Sequence, residues 1–491
     1  MHFKNTLSKL VLCTTLVPLF SESLIANSVN LNPISSTVSQ INTRAKEDQI
    51  DYTQFITSDK LLLPRNLYIL KGSALSGERL NVFYKNALLS LSQNSNVSAF
   101  SSYGQCLTGR WLYQTLANES LMPTESFELK VVARTDHGLI SQSTSVELVD
   151  ENNTTPVRLL PIGDSLTRAG VYLSQVMNSI PNVTTLGTRF YPEDSMPVRE
   201  GRGGWTLERY MTLINSNELD SPFVFPKIVD GENYKGNTRD WKAICYEKTK
   251  HSTYNGFQKI ARGWKDDGEF LYDKNGYYKY PSIGDVMVDP SLPIGTQWVE
   301  WNGTSWQTMS LQPTEFEFNF SKYMVRYKEA FSTGTPTHVS ILLGANEFGM
   351  NKEIDNVDLF IERLNQVIDS IHDYDSTIKI ILCTPTLAPN SNFVTSSWKN
   401  FYTEYDLRMK YVTSKLLEAF DTDEALAKQI YIAPMTLTLD TTNGYTYIEK
   451  DEISNGVKKR VIDANNSIHP NNEYGQLQMG STLAAVIQKY R

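Results

Sequence analysis

Val157-Arg158-Leu159-Leu160-Pro161-Ile162-Gly163-Asp164-Ser165-Leu166 is the stretch that decides how this chain is read. The apolar run Val157 to Ile162 has the near-continuous hydrophobicity of a strand covered on both faces of a parallel sheet. Gly163-Asp164-Ser165 then turns the chain, and the helix-like stretch Arg168 to Ile180 follows. A strand that ends in a tight turn and feeds a helix presents the serine hydroxyl at the carboxyl edge of the sheet, where open α/β sheets bind ligands. The amino terminus of the helix favours negative charge developing there. Ser165 therefore stands where a nucleophile belongs.

Downstream the same rhythm recurs. Short apolar runs at Asn182 to Gly187, His338 to Leu343, Ile378 to Cys383 and Ile430 to Ala433 alternate with helical stretches. Val357, Phe360, Ile361, Leu364, Val367, Ile368 and Ile371 have the spacing of one buried helical face. Such alternation predicts an α/β domain over 156–491, built on a parallel sheet with helices on both sides. Residues 221–313 interrupt it, rich in Gly, Asn and Asp and holding five of the eight tryptophans: Trp241, Trp264, Trp298, Trp301 and Trp306. This reads as an inserted aromatic subdomain with a hairpin at Val299 to Trp306.

Upstream, residues 57–150 alternate polar and apolar side chains in short runs, with turn signals such as Ser76-Gly77 and Asp136-His137-Gly138 between them. Period-two runs at this spacing predict a small antiparallel, all-β sandwich of immunoglobulin-like type. Residues 27–56, rich in Ser, Asn and Thr, read as a linker. Lys4 and Lys9, the apolar run Leu10 to Phe20 and the small residues Ser21, Ser23 and Ala26 follow the three-part plan of a secretory signal peptide over residues 1–26. A secreted, periplasmic or cell-surface location is expected, and no stretch has the roughly 20 apolar residues of a membrane span. Beyond the signal the cysteines are Cys106, Cys245 and Cys383, an odd count that leaves at least one free thiol. Cys383, inside an apolar run, reads as a buried strand residue, and pairing of Cys106 with Cys245 stays open. A net charge of −8 without a long basic run argues against a nucleic-acid partner.

Acyl transfer through a serine needs a base beside the hydroxyl and donors aimed at the developing oxyanion. His469, in Asn466-Ser467-Ile468-His469-Pro470, is the sole histidine after residue 372 and precedes a helix-like stretch from Glu473 to Tyr490. On the loop after the last strand it returns to the edge that carries the serine, in the order serine first and histidine last that suits α/β topology. Glu200-Gly201-Arg202-Gly203-Gly204-Trp205-Thr206 precedes a helix over Leu207 to Asn215 and offers a backbone N–H with no side chain in the way. Gly344-Ala345-Asn346-Glu347 follows the third strand and offers an amide donor at the same edge.

These four ordered loops resemble those of the SGNH hydrolases, the GDSL family of lipases and esterases. Ser165 matches the nucleophile of the first block, Gly204 the glycine of the second, Asn346 the asparagine of the third and His469 the histidine of the last. The resemblance spans about residues 157–491 apart from the insertion. It implies a flavodoxin-like three-layer α/β/α fold, ester hydrolysis without metal or other cofactor, and an oxyanion hole of the Ser165 N–H, the Gly204 N–H and the Asn346 side chain. Arg202 and Trp205 are expected to pack the loop rather than take part in chemistry.

Two positions depart from the family pattern. Glu347 stands where the third block usually has aspartate, and Asn466 stands three residues before His469, where an aspartate normally orients the imidazole. Asp463 lies six residues before the histidine and supplies a carboxylate if the loop folds back, so Asn466 and Asp463 are both candidates for the orienting role. The expected activity is that of a secreted serine esterase on a small-molecule or polysaccharide ester, with a carbohydrate ester favoured by the aromatic insertion. The competing expectation is a carbohydrate-binding or adhesive surface protein whose hydrolase domain has lost activity.

Overall fold

The computed structural model describes residues 50–491 apart from 72–78, 93, 115–125, 189–195, 213–220, 227–285, 289–291, 294, 297, 310–315 and 455. The signal-like residues 1–26, most of the linker, Cys245, Trp241 and Trp264 lie outside the described residues, as do the side chains of Trp298, Trp301 and Trp306. The chain divides at Asp51, and Tyr52–Arg491 forms one compact unit.

The main strands of the first part of that unit are β1 (Asn66–Leu70), β2 (Arg79–Phe83), β3 (Asn96–Ser101), β4 (Gln105–Leu107), β5 (Arg110–Gln114), β6 (Ser126–Thr135) and β7 (Gly138–Val149). They form a four-stranded sheet in the order β1-β7-β6-β3 and a three-stranded sheet in the order β2-β5-β4. Alternate residues of both sheets enter one core around Trp111, Leu67, Leu129, Val131 and Val146, as period-two patterning requires. One pairing departs from the antiparallel expectation, because β1 runs parallel to β7. Parallel neighbours need a long crossover between them, and β2 to β6 supply it. The core also takes in Leu437, and Asn86 Nδ2 donates to the carbonyls of Thr436 and Leu439. Shared packing and buried hydrogen bonds thereby join the β part to the α/β part that begins at Val157.

Six parallel strands make the central sheet: β8 (Val157–Gly163), β9 (Val183–Thr185), β10 (Glu200–Gly201), β11 (His338–Leu342), β12 (Lys379–Cys383) and β13 (Ile430–Ala433). Their order is β9-β8-β11-β12-β13, with the short β10 also pairing with the end of β8. Counting the five main strands along the chain, this is 2-1-3-4-5, one of the two common orders of doubly wound sheets. Val157 and Leu159 of β8, Ile381 and Cys383 of β12, and Tyr431 and Ala433 of β13 face a core shared with helices α1 (Ser165–Ala169), α2 (Val171–Ser179) and, at the chain's end, the helix Gly475–Lys489. The strand residues of opposite parity, among them Leu160, Ile162, Val339, Ile341 and Ile380, are equally buried. Burial on both faces explains why these strands read as unbroken apolar runs. The helix read from Arg168 to Ile180 is broken at Gly170, which takes a left-handed conformation.

Of the interruption, Val224–Pro226 pairs antiparallel with Phe316–Phe318, and Val286–Val288, Trp298–Trp301 and Trp306–Thr308 form a three-stranded antiparallel sheet. The turn at Asn302 to Ser305 is held by the Asn302 side chain, which accepts from the N–H groups of Thr304 and Ser305. After β13 comes a hairpin that the sequence does not announce, β14 (Tyr447–Ser454) and β15 (Val457–Ala464). Among the described residues no helix is long and apolar enough to cross a membrane.

Candidate active site

Ser165 is the first residue of α1, so its backbone N–H has no acceptor within the helix. Asp164 caps this helix through Oδ1, which accepts from Leu166 N at 2.9 Å. The aspartate is 2% exposed, and burial raises its pKa to about 7 against the pull of the Leu166 amide. The Ser165 hydroxyl is half-buried and lies 2.7 Å from Nε2 of His469. Although 304 residues apart in the chain, the two groups meet with the geometry of a nucleophile and its base.

The second loop is fastened to the nucleophile's strand. Arg202 N donates to Gly163 O at 2.9 Å, and the Tyr210 hydroxyl lies 2.8 Å from the same oxygen and also bonds the Glu200 carbonyl. A Cβ on Gly201 would come within 2.1 Å of Arg168 N, so this loop touches the helix behind Ser165 and only glycine fits. Glu200 is fully buried and accepts from Thr188 N, Thr188 Oγ1, Tyr323 and Arg202. The Arg202 guanidinium lies over the Trp205 ring, 4.9 Å from its centroid, a packing role for both residues. Gly204 has φ +74° and open space where a Cβ would stand. That left-handed conformation costs glycine little and turns the backbone sharply before helix α3 (Leu207–Met211).

The third loop leaves β11 at Gly344 and runs into a π-helical turn, Ala345–Met350. Such turns are frequent at functional sites. Here the turn brings Asn346 back to the second loop, where Nδ2 donates to Trp205 O at 2.9 Å. One of its two amide hydrogens is used in this way, and the other is available to a ligand.

The histidine loop follows β15. Asn465 N donates to Thr446 O, His469 N donates to Asn466 O at 2.8 Å, and Asn471 N donates to Gly444 O. Ser467 has φ +44°, an uncommon value for a residue with a side chain. Neither orienting candidate meets the imidazole with its side chain. Asp463 belongs to β15 and is 1% exposed. Its Oδ1 accepts from Tyr402 at 3.1 Å and from Ala464 N at 2.8 Å, and its Oδ2 pairs with Lys450 Nζ at 2.5 Å. The proposed carboxylate is thus corrected to a strand residue engaged by its own hairpin. The loop that was to fold it back is held extended by the ladder pairing Ile448 with Asp463. The Asn466 side chain is exposed, and this residue acts on the histidine through its backbone carbonyl. His469 Nδ1 makes no well-formed hydrogen bond among the described residues, although the Asn466 carbonyl lies close enough to raise the imidazole pKa. Burial lowers the His469 pKa from its ordinary value, and the Asn466 carbonyl, which raises it, offsets only part.

The structure brings Ser165 to His469, and Asn346 to the residue after Gly204. Sequence reasoning missed Tyr210, Tyr402 and Lys450, whose roles depend on hairpin register and cross-loop contacts that leave no local motif. No protein-family model matches the chain, and no curated protein does. Similar solved structures include a carbohydrate esterase of family 3 from Talaromyces cellulolyticus, with 11% identity, a TM-score of 0.30, and 67% of this chain and 96% of that one covered. An acetyl esterase variant crystallised with acetate ion has 13% identity and a TM-score of 0.31 over 68% of this chain and 98% of that one. A carbohydrate acetylesterase from Xanthomonas citri has 10% identity and a TM-score of 0.18 over 84% and 92%. At these scores the likeness carries no weight for the chemistry, which rests on the distances above.

Proposed function

We propose that this chain is a secreted serine esterase of the SGNH type, with a flavodoxin-like three-layer hydrolase domain behind an immunoglobulin-like β part. The observation that carries the reading is the 2.7 Å approach of Ser165 Oγ to His469 Nε2. In the tautomer this contact requires, Nε2 is unprotonated and accepts the serine proton, while Nδ1 carries the other. Ser165 Oγ attacks the ester carbonyl as its proton passes to Nε2. The negative charge on the former carbonyl oxygen is met by the N–H groups of Ser165 and Gly204 and by Asn346 Nδ2. Collapse of the tetrahedral intermediate breaks the bond to the alcohol, which leaves with the proton from Nε2. Water, deprotonated by His469, then attacks the acyl-enzyme; the acid departs and Ser165 regains its proton.

A carbohydrate ester such as an acetylated polysaccharide is the favoured substrate, on the strength of the tryptophan-rich insertion and the preceding β part. Two measurements test these statements. A fluorophosphonate probe is expected to label the wild type and not Ser165→Ala, and wild type without label contradicts the esterase. On a panel of acetylated sugars and aryl esters of graded chain length, preference for long acyl chains contradicts the carbohydrate reading. The lack of a carboxylate or well-formed hydrogen bond at His469 Nδ1 among the described residues favours one competing reading, a glycan-binding protein with a weakened catalytic centre. Glycan binding with no labelling of either protein identifies it.

A further inference from the structure

Glu347 is the one residue of the four loops that departs from the family pattern and yet is almost wholly buried, at 5% exposure. Its Oε1 accepts from Leu207 N at 2.5 Å and its Oε2 accepts from Gly344 N at 3.1 Å. We propose that Glu347 is the positioning residue of the oxyanion hole: its two oxygens, each holding one backbone N–H, set the spacing between the loop bearing the Gly204 amide and the loop bearing the Asn346 side chain. The inference rests on the esterase reading above.

Three observations carry it. Leu207 lies three residues after Gly204, and Gly344 lies two before Asn346, so one carboxylate spans both donor-bearing loops close to their donors. A second link runs the other way between the same loops, from Asn346 Nδ2 to Trp205 O. Two links of opposite sense fix both distance and orientation, which one link leaves free. The one carboxylate also caps two turns at once, accepting from Gly344 N at the head of its own π-helical turn and from Leu207 N, the first amide of α3, which Thr206 leaves open by accepting from Arg209 N.

The chemistry of the side chain is specific. Aspartate is shorter by one carbon–carbon bond, about 1.5 Å, and does not reach both N–H groups at once. Glutamine keeps the length but turns an NH₂ group toward one of the two donors, so one bond is replaced by a repulsive contact. Burial raises the Glu347 pKa to about 7 against the pull of the Leu207 and Gly344 amides, which favour the ionised form.

The test uses the full chain with Glu347→Ala, Glu347→Gln and Glu347→Asp. Competent sites are counted by fluorophosphonate labelling taken to completion, and kcat per labelled site and KM are measured on an aryl acetate. A displaced donor weakens the transition state, in which the oxygen carries charge, more than the ground state. The expected result is a fall of about 10- to 100-fold in kcat per site for the alanine and glutamine variants, with KM within about twofold and the aspartate variant between them and wild type. A purely structural residue lowers the melting temperature or the number of labelled sites and leaves kcat per labelled site at the wild-type value. That outcome overturns the proposal. If the alanine variant does not fold, the nearly isosteric glutamine variant decides it. Absence of label on the wild type instead removes the esterase reading and this inference with it, whereas a labelled wild type with unaltered variants removes the inference alone.

Discussion

The two sides of the Ser165 hydroxyl are built differently. On the oxyanion side the loops are tied to one another and to the nucleophile's strand through Tyr210, Arg202 N, Asn346 Nδ2 and the buried Glu347. On the histidine side the backbone is held, by Thr446 and Gly444 carbonyls and by the Tyr445 hydroxyl on Ile468 O, while the imidazole Nδ1 makes no well-formed hydrogen bond among the described residues and has only the Asn466 carbonyl near it. On the proposed reading the loops bearing the oxyanion donors are fixed to one another, while among the described residues no carboxylate bonds the imidazole of the base. Preorganised donors supply a large share of acyl-transfer catalysis, so an active centre is expected here even though imidazolium formation is penalised.

The widest contrast comes from removing the reacting groups. Ser165→Ala and His469→Ala are each expected to lower kcat by at least about 10⁴, measured on an aryl acetate, as loss of a nucleophile or its base does elsewhere. Next in size is Asn346→Ala, which removes one oxyanion donor and its tie to Trp205. A loss of about 10²- to 10³-fold in kcat is expected, and a loss below tenfold breaks the account of the oxyanion side. Asp463→Asn has the smallest expected effect. An orienting aspartate costs about 10⁴ when changed to asparagine, but Asp463 is engaged by Tyr402, Ala464 and Lys450. A loss in kcat below about tenfold is therefore expected, together with a lower melting temperature, because a buried carboxylate loses its charge-assisted bonds.

The fold was legible wherever burial on both faces wrote itself into composition. Strand β8 and its parallel neighbours are apolar because the core covers both their faces, and the Gly-Asp-Ser turn marks where the first of them ends. The β1–β7 pairing was not legible, since its antiparallel neighbours show the same alternation and parallel pairing joins residues far apart in the chain. Hairpin β14–β15 escaped for another reason. Ile453, Val457 and Ile462 are exposed while Asp463 is buried, so side-chain polarity does not follow burial there. The misreading of Asp463 followed directly, because six residues of flexible loop reach back to a histidine and an extended strand does not. The approach of Ser165 to His469 was legible because their loops carry short motifs; Glu347 stands out in the sequence as a departure, but its two backbone partners lie on separate loops and only the folded chain brings them to it.

The proposal that Ser165 is activated by a histidine with no carboxylate behind it among the described residues is tested most directly by the acid limb of kcat/KM. His469 must be neutral to accept the serine proton, and burial lowers its pKa from the ordinary 6.5. The histidine ionisation therefore lies below 6.5, separate from the titration of the buried Asp164 and Glu347 carboxyls at about 7. Measured from about pH 4 to 8, the range in which histidine titrates, wild type and Asp463→Asn are predicted to share the same acid limb, with the histidine ionisation below 6.5 in both. A wild-type value above 6.5 that drops by about a unit or more in Asp463→Asn, the size of shift that a neighbouring carboxylate produces, would contradict it.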